Sequence, residues 1–229
     1  MSFRLSAVGA LVVAGGLAAH ANADVLMTFG YTDLGANFAS TGGGAGLFTA
    51  NAVDIPGTLQ SDGNVTRLPD GGPGGTAMFD PGFVSLPDLG NFMMAISVFN
   101  NNGNTADGAG TFQITDAQGD TISGLIDGTW IRGNLSTFFN GNLSNIVLAN
   151  TSGDGTFNGS SGGSFSMNFG AVQVFEGSIV NLFTRPAGVG FFQENFTTIA
   201  DLVSGEIVPA PGTLALLGLS GLVMARRRR

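Results

Sequence analysis

The chain has 229 residues, one histidine, no cysteine and a formal net charge of −8. All eight of its basic residues are arginines, so lysine is absent. The one histidine, His20, lies near the N-terminus, and the rest of the chain therefore cannot build a Ser-His-Asp triad, a cysteine nucleophile, a lysine Schiff base, a disulfide or a His/Cys zinc site.

The first 23 residues have the form of a secretory signal peptide. Arg4 is followed by an apolar, Ala/Gly-rich helical run over residues 5–19 and then by Ala21-Asn22-Ala23. A short apolar run ending in small-x-small places cleavage after Ala23 and the mature start at Asp24. Residues 24–207 read as one β-rich extracellular domain. Their three arginines, Arg67, Arg132 and Arg185, stand against sixteen carboxylates, a net charge of −13. Such a body repels nucleic acid and anionic lipid.

Strand signals fill this body. Val25, Met27, Phe29 and Tyr31 alternate with small and polar residues, the period of a half-buried strand over residues 24–33. Residues 35–90 hold glycine clusters and read as mostly surface loop, with short strands at 65–68 and 76–79. Residues 91–100 form an apolar strand. Residues 111–116 and 121–126 flank a turn at Gln118-Gly119, and Asp127-Gly128 carries the two-residue hairpin signal into 129–133. Gly141 reads as the turn between 135–140 and 143–150. Further strands are expected at 164–175, 179–184, 190–199 and 202–203. About a dozen short strands without a helical period predict an all-β domain, a single antiparallel β-sandwich or jelly roll.

Three sets of side chains are candidates for chemistry. Glu176 and Glu194 each share strand parity with apolar residues, and two carboxylates about 5–10 Å apart could run glycoside hydrolysis. The plainer reading is that both are solvated or paired with Arg132 or Arg185. Trp130, alternating with Arg132, could form a sugar-stacking platform, although a lone Trp in a small domain is more often core. The Asp-Gly turns at Asp62-Gly63-Asn64 and Asp154-Gly155 offer oxygen ligands but no dense calcium loop, and turn chemistry explains them. No cofactor, metal site or catalytic residue is assigned. The six Asn-x-Ser/Thr sites, among them Asn134 and Asn195, follow from an Asn-rich composition.

Residues 208–229 form a separate unit. Pro209-Ala210-Pro211 interrupts the chain, residues 213–225 form an apolar helix, and Arg226, Arg227, Arg228 and Arg229 end it. Thirteen helical residues reach about 20 Å, short of the roughly 30 Å hydrocarbon core, which suits a transient transmembrane anchor with its arginines in the cytoplasm. This three-part tail resembles a PEP-CTERM sorting signal, with Ala210 where that family usually carries Glu. The resemblance implies an exosortase, a membrane transpeptidase that cuts near the Pro-x-Pro motif, and a Gram-negative host that makes exopolysaccharide. The expectation is an exported structural or interaction protein of the cell envelope or biofilm matrix with no catalytic activity of its own. Its implied partners are the secretion machinery, the exosortase, the inner membrane through the tail helix, and exopolysaccharide. It would be anchored transiently in the inner membrane and then reside at the cell surface or outside. A glycan-binding module is the alternative, and a glycoside hydrolase the third reading.

Overall fold

The structure, a computed structural model, describes residues 24–69, 73–80, 91–134, 136–184 and 190–210. The signal peptide with Ala21 and Ala23, Arg185, and the tail from Pro211 through the 213–225 helix to Arg229 lie outside the described residues.

Among the described residues there are fourteen strands and no helix. In chain order they are β1 (Met27–Gly42), β2 (Ala45–Asn51), β3 (Asp54–Ile55), β4 (Leu59–Gln60), β5 (Asp62–Arg67), β6 (Gly75–Phe79) and β7 (Asn91–Phe99). β8 (Thr105–Thr115), β9 (Thr121–Arg132), β10 (Thr137–Ala149), β11 (Thr156–Asn158), β12 (Ser164–Ser166), β13 (Phe175–Thr184) and β14 (Phe196–Pro209) follow. The all-β expectation holds, but the sandwich does not. The main sheet runs β14-β13-β10-β9-β8-β7-β2-β1 and then closes, because β14 also pairs with β1 from Met27↔Ile207 to Phe38↔Phe196. All pairings are antiparallel, and the result is an eight-stranded barrel rather than two stacked sheets.

Closure follows from strand length and from what fills the middle. An eight-stranded barrel is just wide enough for side chains to occupy its interior. Here they are rings: Phe29, Phe48, Phe92, Phe112, Trp130 and Phe139 are all buried. They meet across the lumen, Phe48 of β2 with Trp130 of β9 at 4.8 Å and Phe29 of β1 with Phe112 of β8 at 5.9 Å between centroids. Burying one such side chain contributes about 1.5–3 kcal/mol. The rings fit because glycines face them. A Cβ on Gly108 would stand 2.7 Å from Phe139 and 2.9 Å from the Trp130 indole nitrogen, and one on Gly205 would collide with the Phe29 ring. Gly63 gives the same room to Tyr31, and Gly124 to Phe112.

This packing overturns two turn assignments. Asp127-Gly128 lies in the middle of β9 and Gly141 in the middle of β10, where they pair as Gly141↔Gly128. A side chain on Gly128 would strike the Asn140 carbonyl. The glycine signal at these points marks close backbone approach in a strand, not a reversal. Asp62-Gly63-Asn64 is likewise strand, in β5. Residues 35–51, read as loop, are instead the second half of β1 and all of β2, joined at Gly43-Gly44.

Both ends of the barrel are covered. At one end β5 pairs with residues Met27–Thr32 of β1 and carries β6 with it. At Asp33, whose φ is 54°, the inward face of β1 changes parity, and from Gly35 onward β2 takes the edge that β5 held. The β11–β12 hairpin packs on this flap through Phe157, stacked on Phe165 at 5.2 Å and set against Phe79 at 6.4 Å. Arg67, 6% exposed, binds the flap to residues 166–169. Its guanidinium donates to the carbonyls of Ser166 and Asn168 and lies 4.1 Å from the Phe169 ring centroid. At the other end residues 190–195 plug the lumen, with the Phe192 ring 4.9 Å from Phe38 and 5.0 Å from Trp130. Asn101 holds the plug by donating to the carbonyls of Phe191 and Gly44.

Candidate functional site

The sequence candidates separate once placed on the barrel. Trp130 is 0% exposed, enclosed by Phe48, Phe139 and Phe192. It cannot stack on a sugar, so the Trp130–Arg132 platform is not formed. The strand alternation that put both residues on one face is intact, but that face is the lumen until β9 runs out at its end. Arg132 is exposed there, its side chain reaching the Gly103 carbonyl at 3.4 Å.

Glu176 and Glu194 are both exposed and far apart. Glu176 sits on β13 opposite Val208. Glu194 lies in the plug, not on a strand, two residues before β14 starts at Phe196. The strand from Phe196 to Val208 separates the two ends by about 40 Å at 3.3 Å per residue. A carboxylate pair for glycoside hydrolysis requires about 5–10 Å, and these two do not share a cleft.

Among the described residues the buried carboxylates are Asp116 and Asp120, at the β8–β9 turn, which sequence reasoning did not single out. Asp116 Oδ1 accepts from the backbone N–H groups of Gln118 and Asp120, and its Oδ2 from that of Asn158. Asp120 accepts from the backbone N–H and the hydroxyl of Ser152. Asp116 Oδ1 thus closes the turn itself, and the other three oxygens tie it to residues 152–158. In that segment Asp154 is exposed, and hydrogen bonds from the Thr156 backbone N–H, then the Thr156 hydroxyl, with Ser152 and Asn158 adding to them, hold its carboxyl below the usual range. The Asp154-Gly155 turn is thus a self-capped loop. Among the described residues no cluster of His, Cys, Asp or Glu is placed to hold a metal ion.

The outer wall carries the remaining feature. Outward positions of the barrel are mostly Thr, Ser, Asn, Gln and Asp, interrupted by exposed apolar side chains such as Leu47, Met93, Leu125 and Val147. Barrels narrow at the waist, and here a cleft of about 650 Å³ crosses β2, β7, β8, β9 and β10 on the outside. Its polar lining is Thr49, Asn51, Thr111, Gln113, Ser123 and Asn145. Exposed Met93 and Leu125 stand among them, and the small Ala95, between Thr49 and Thr111, leaves the floor open. A second depression of about 450 Å³ continues it across β1 and β14, sharing Thr49 and Asn51 and walled by Ile55 and Leu59 of the β3–β4 hairpin. Only alternating Thr, Asn and Gln mark this surface in the sequence, and that pattern is also what any solvated strand face shows.

The first residues of the tail motif belong to the sheet. Val208 pairs with Glu176 and Pro209 with Phe175, and the Ala210 N–H donates to the Val174 carbonyl at 3.0 Å. Pro209 and Ala210 are buried. Compared with protein-family models, with curated proteins and with solved structures, the chain matches none.

Proposed function

We propose that this is an exported, non-catalytic interaction protein of the cell envelope or extracellular matrix, sorted through its C-terminal tail. The observation that carries the reading is the tail itself: Pro209-Ala210-Pro211, the apolar run 213–225 and Arg226–Arg229, in the order of a PEP-CTERM signal. The barrel supports it. Its interior is occupied by rings, so the surface left for partners is the outer wall. The body brings no His, Cys or Lys to that wall, and its charge of −13, three arginines against sixteen carboxylates, keeps it soluble and away from polyanions. Exosortase action would leave the barrel at the surface and the severed helix in the membrane, its arginines on the cytoplasmic side. Fractionation of a producing cell, with intact mass of the extracellular form, tests this. A mass beginning at Asp24 and ending soon after Ala210 is expected. Recovery of the chain in the cytoplasm, or at the surface with Arg226–Arg229 still attached, would contradict it.

A further inference from the structure

We propose that the outer cleft binds an uncharged polysaccharide strand laid across the barrel wall. This rests on the reading of a surface or matrix protein and names the ligand class for it. Charge narrows the ligand first. A body with sixteen carboxylates places none of them, and no arginine, in the lining of either depression. Asp107 and Asp127 sit farther along β8 and β9, outside the cleft. An ionic ligand would find no counter-charge here, and desolvating a charge without one is costly.

The cleft also holds unused hydrogen-bonding capacity. The loop asparagines are spent inside the chain: Asn101 on Gly44 and Phe191, Asn102 on Asn104 and Thr105, Asn150 on Gly153 and Gly155. In the cleft the side chains of Thr49, Asn51, Thr111, Ser123 and Asn145 make no hydrogen bond to any described residue. Gln113 uses one N–H on Thr115 and keeps its carbonyl. Asn145 has a φ of 50° in the register shift of β10, between Ser144 and Val147. A bulge of this kind re-aims a side chain, and it stands at the end of the row.

Shape narrows the ligand further. Every strand under the cleft is paired on both edges, so no backbone is free to accept an added peptide strand. Recognition must come from side chains. Hydroxyls and amides bordering Met93, Ala95 and Leu125 match a pyranose, which presents hydroxyls at its edge and C–H groups on its face. Five strands at about 4.8 Å spacing give roughly 19 Å of path, and the continuation over β1 and β14 brings it to about 29 Å. That length suits several sugar units in series better than a single small molecule.

Affinity electrophoresis of the full chain tests the proposal, in gels carrying mannan, dextran or hydroxyethyl cellulose, with alginate as the anionic comparison. The chain is expected to be retarded by at least one neutral polymer and not by alginate. Asn51→Ala with Gln113→Ala should weaken retardation about tenfold or more. Ala95→Trp, which fills the floor, should abolish it while the circular dichroism spectrum and melting temperature stay those of the parent chain. Retardation by no neutral polymer overturns the proposal, as does retardation that survives Ala95→Trp. A solution dimer that Ala95→Trp disperses would assign the cleft to a second copy and also overturn it. The two readings fail separately: a chain exported and held at the surface that binds none of these polymers keeps the proposed function and loses this ligand. A chain that binds them but remains in the cytoplasm does the reverse.

Discussion

Replacing Gly108 with alanine tests whether the glycines of the wall exist to seat the rings. The added methyl would meet Phe139 at 2.7 Å, the Ile96 side chain at 2.9 Å and the Trp130 indole nitrogen at 2.9 Å. All three neighbours are buried, and they approach from β10, β7 and β9, so none can retreat without disturbing a strand. Overpacking of this kind costs about 1–3 kcal/mol. Against it stands about 0.4–1 kcal/mol gained because alanine restricts the unfolded chain. The net expectation is a loss of about 1–2 kcal/mol. For a domain of 150–250 residues that corresponds to a fall in melting temperature of about 2–8 °C. Gly30, also in a strand, has open space around its Cβ position, so Gly30→Ala should hold or raise the melting temperature by a few degrees. Calorimetry of both variants decides the matter. A Gly108→Ala chain as stable as the parent would refute the close-packing argument. Equal losses in both variants would show that strand glycines matter here for backbone conformation, not for space.

Three further outcomes are expected. The single tryptophan, 0% exposed, should emit at short wavelength and resist iodide quenching, and emission like that of free indole would place Trp130 outside the lumen. Asp120→Ala removes both bonds to Ser152 and should cost about 1–3 kcal/mol in urea unfolding; an unchanged midpoint would mean that the 152–158 segment is held by other contacts. Asp154 is ionised more readily folded than unfolded, so its contribution is complete at neutral pH and fades as pH falls through and beneath the usual Asp range. An Asp154→Asn chain should therefore lose less stability than the parent between pH 7 and pH 3, and parallel acid profiles would remove the effect.

How far the sequence could be read depended on the range of the interaction. Alternation over Val25 to Tyr31 and the apolar run over residues 91–100 identified strands from local properties, although the run read as a buried strand has only one buried face. The Gln118-Gly119 turn was legible for the same reason. Closure was not, because it lies in the pairing of β1 with β14, which no local pattern encodes. Gly128 and Gly141 misled because a glycine that frees the backbone and a glycine that makes room for a ring look alike in one dimension. Gly128 meets the Asn140 carbonyl and Gly141 only after folding, and Gly141 meets the Asp127 carbonyl in the same way. Glu194 misled because the Phe191-Phe192 pair looked like strand, whereas Phe192 adopts a φ of 53° and turns its ring into the lumen. Trp130 resolved in favour of its bulk over its stacking face. The cleft had no signal of its own, since Thr, Asn and Gln on an outward strand face are ordinary until the wall's curvature brings them together.

The seam between the first and last strands sets the order of events during synthesis. Met27 cannot find Ile207 until some 180 intervening residues have emerged, and every strand from β2 to β13 must wait with at least one end of the sheet unclosed. Pairings this distant in sequence form slowly, since loop closure precedes any gain from contact. Neighbouring strands such as β7 to β10 can pair as they appear, but the barrel closes only on arrival of its last strand. Interruption short of β14 leaves bare the edge of β1 that β14 would cover, together with the edge of the last strand made, both open to pairing with other chains. The same wall that is sealed along the cleft in the finished barrel is, until its final fourteen residues arrive, a template for aggregation.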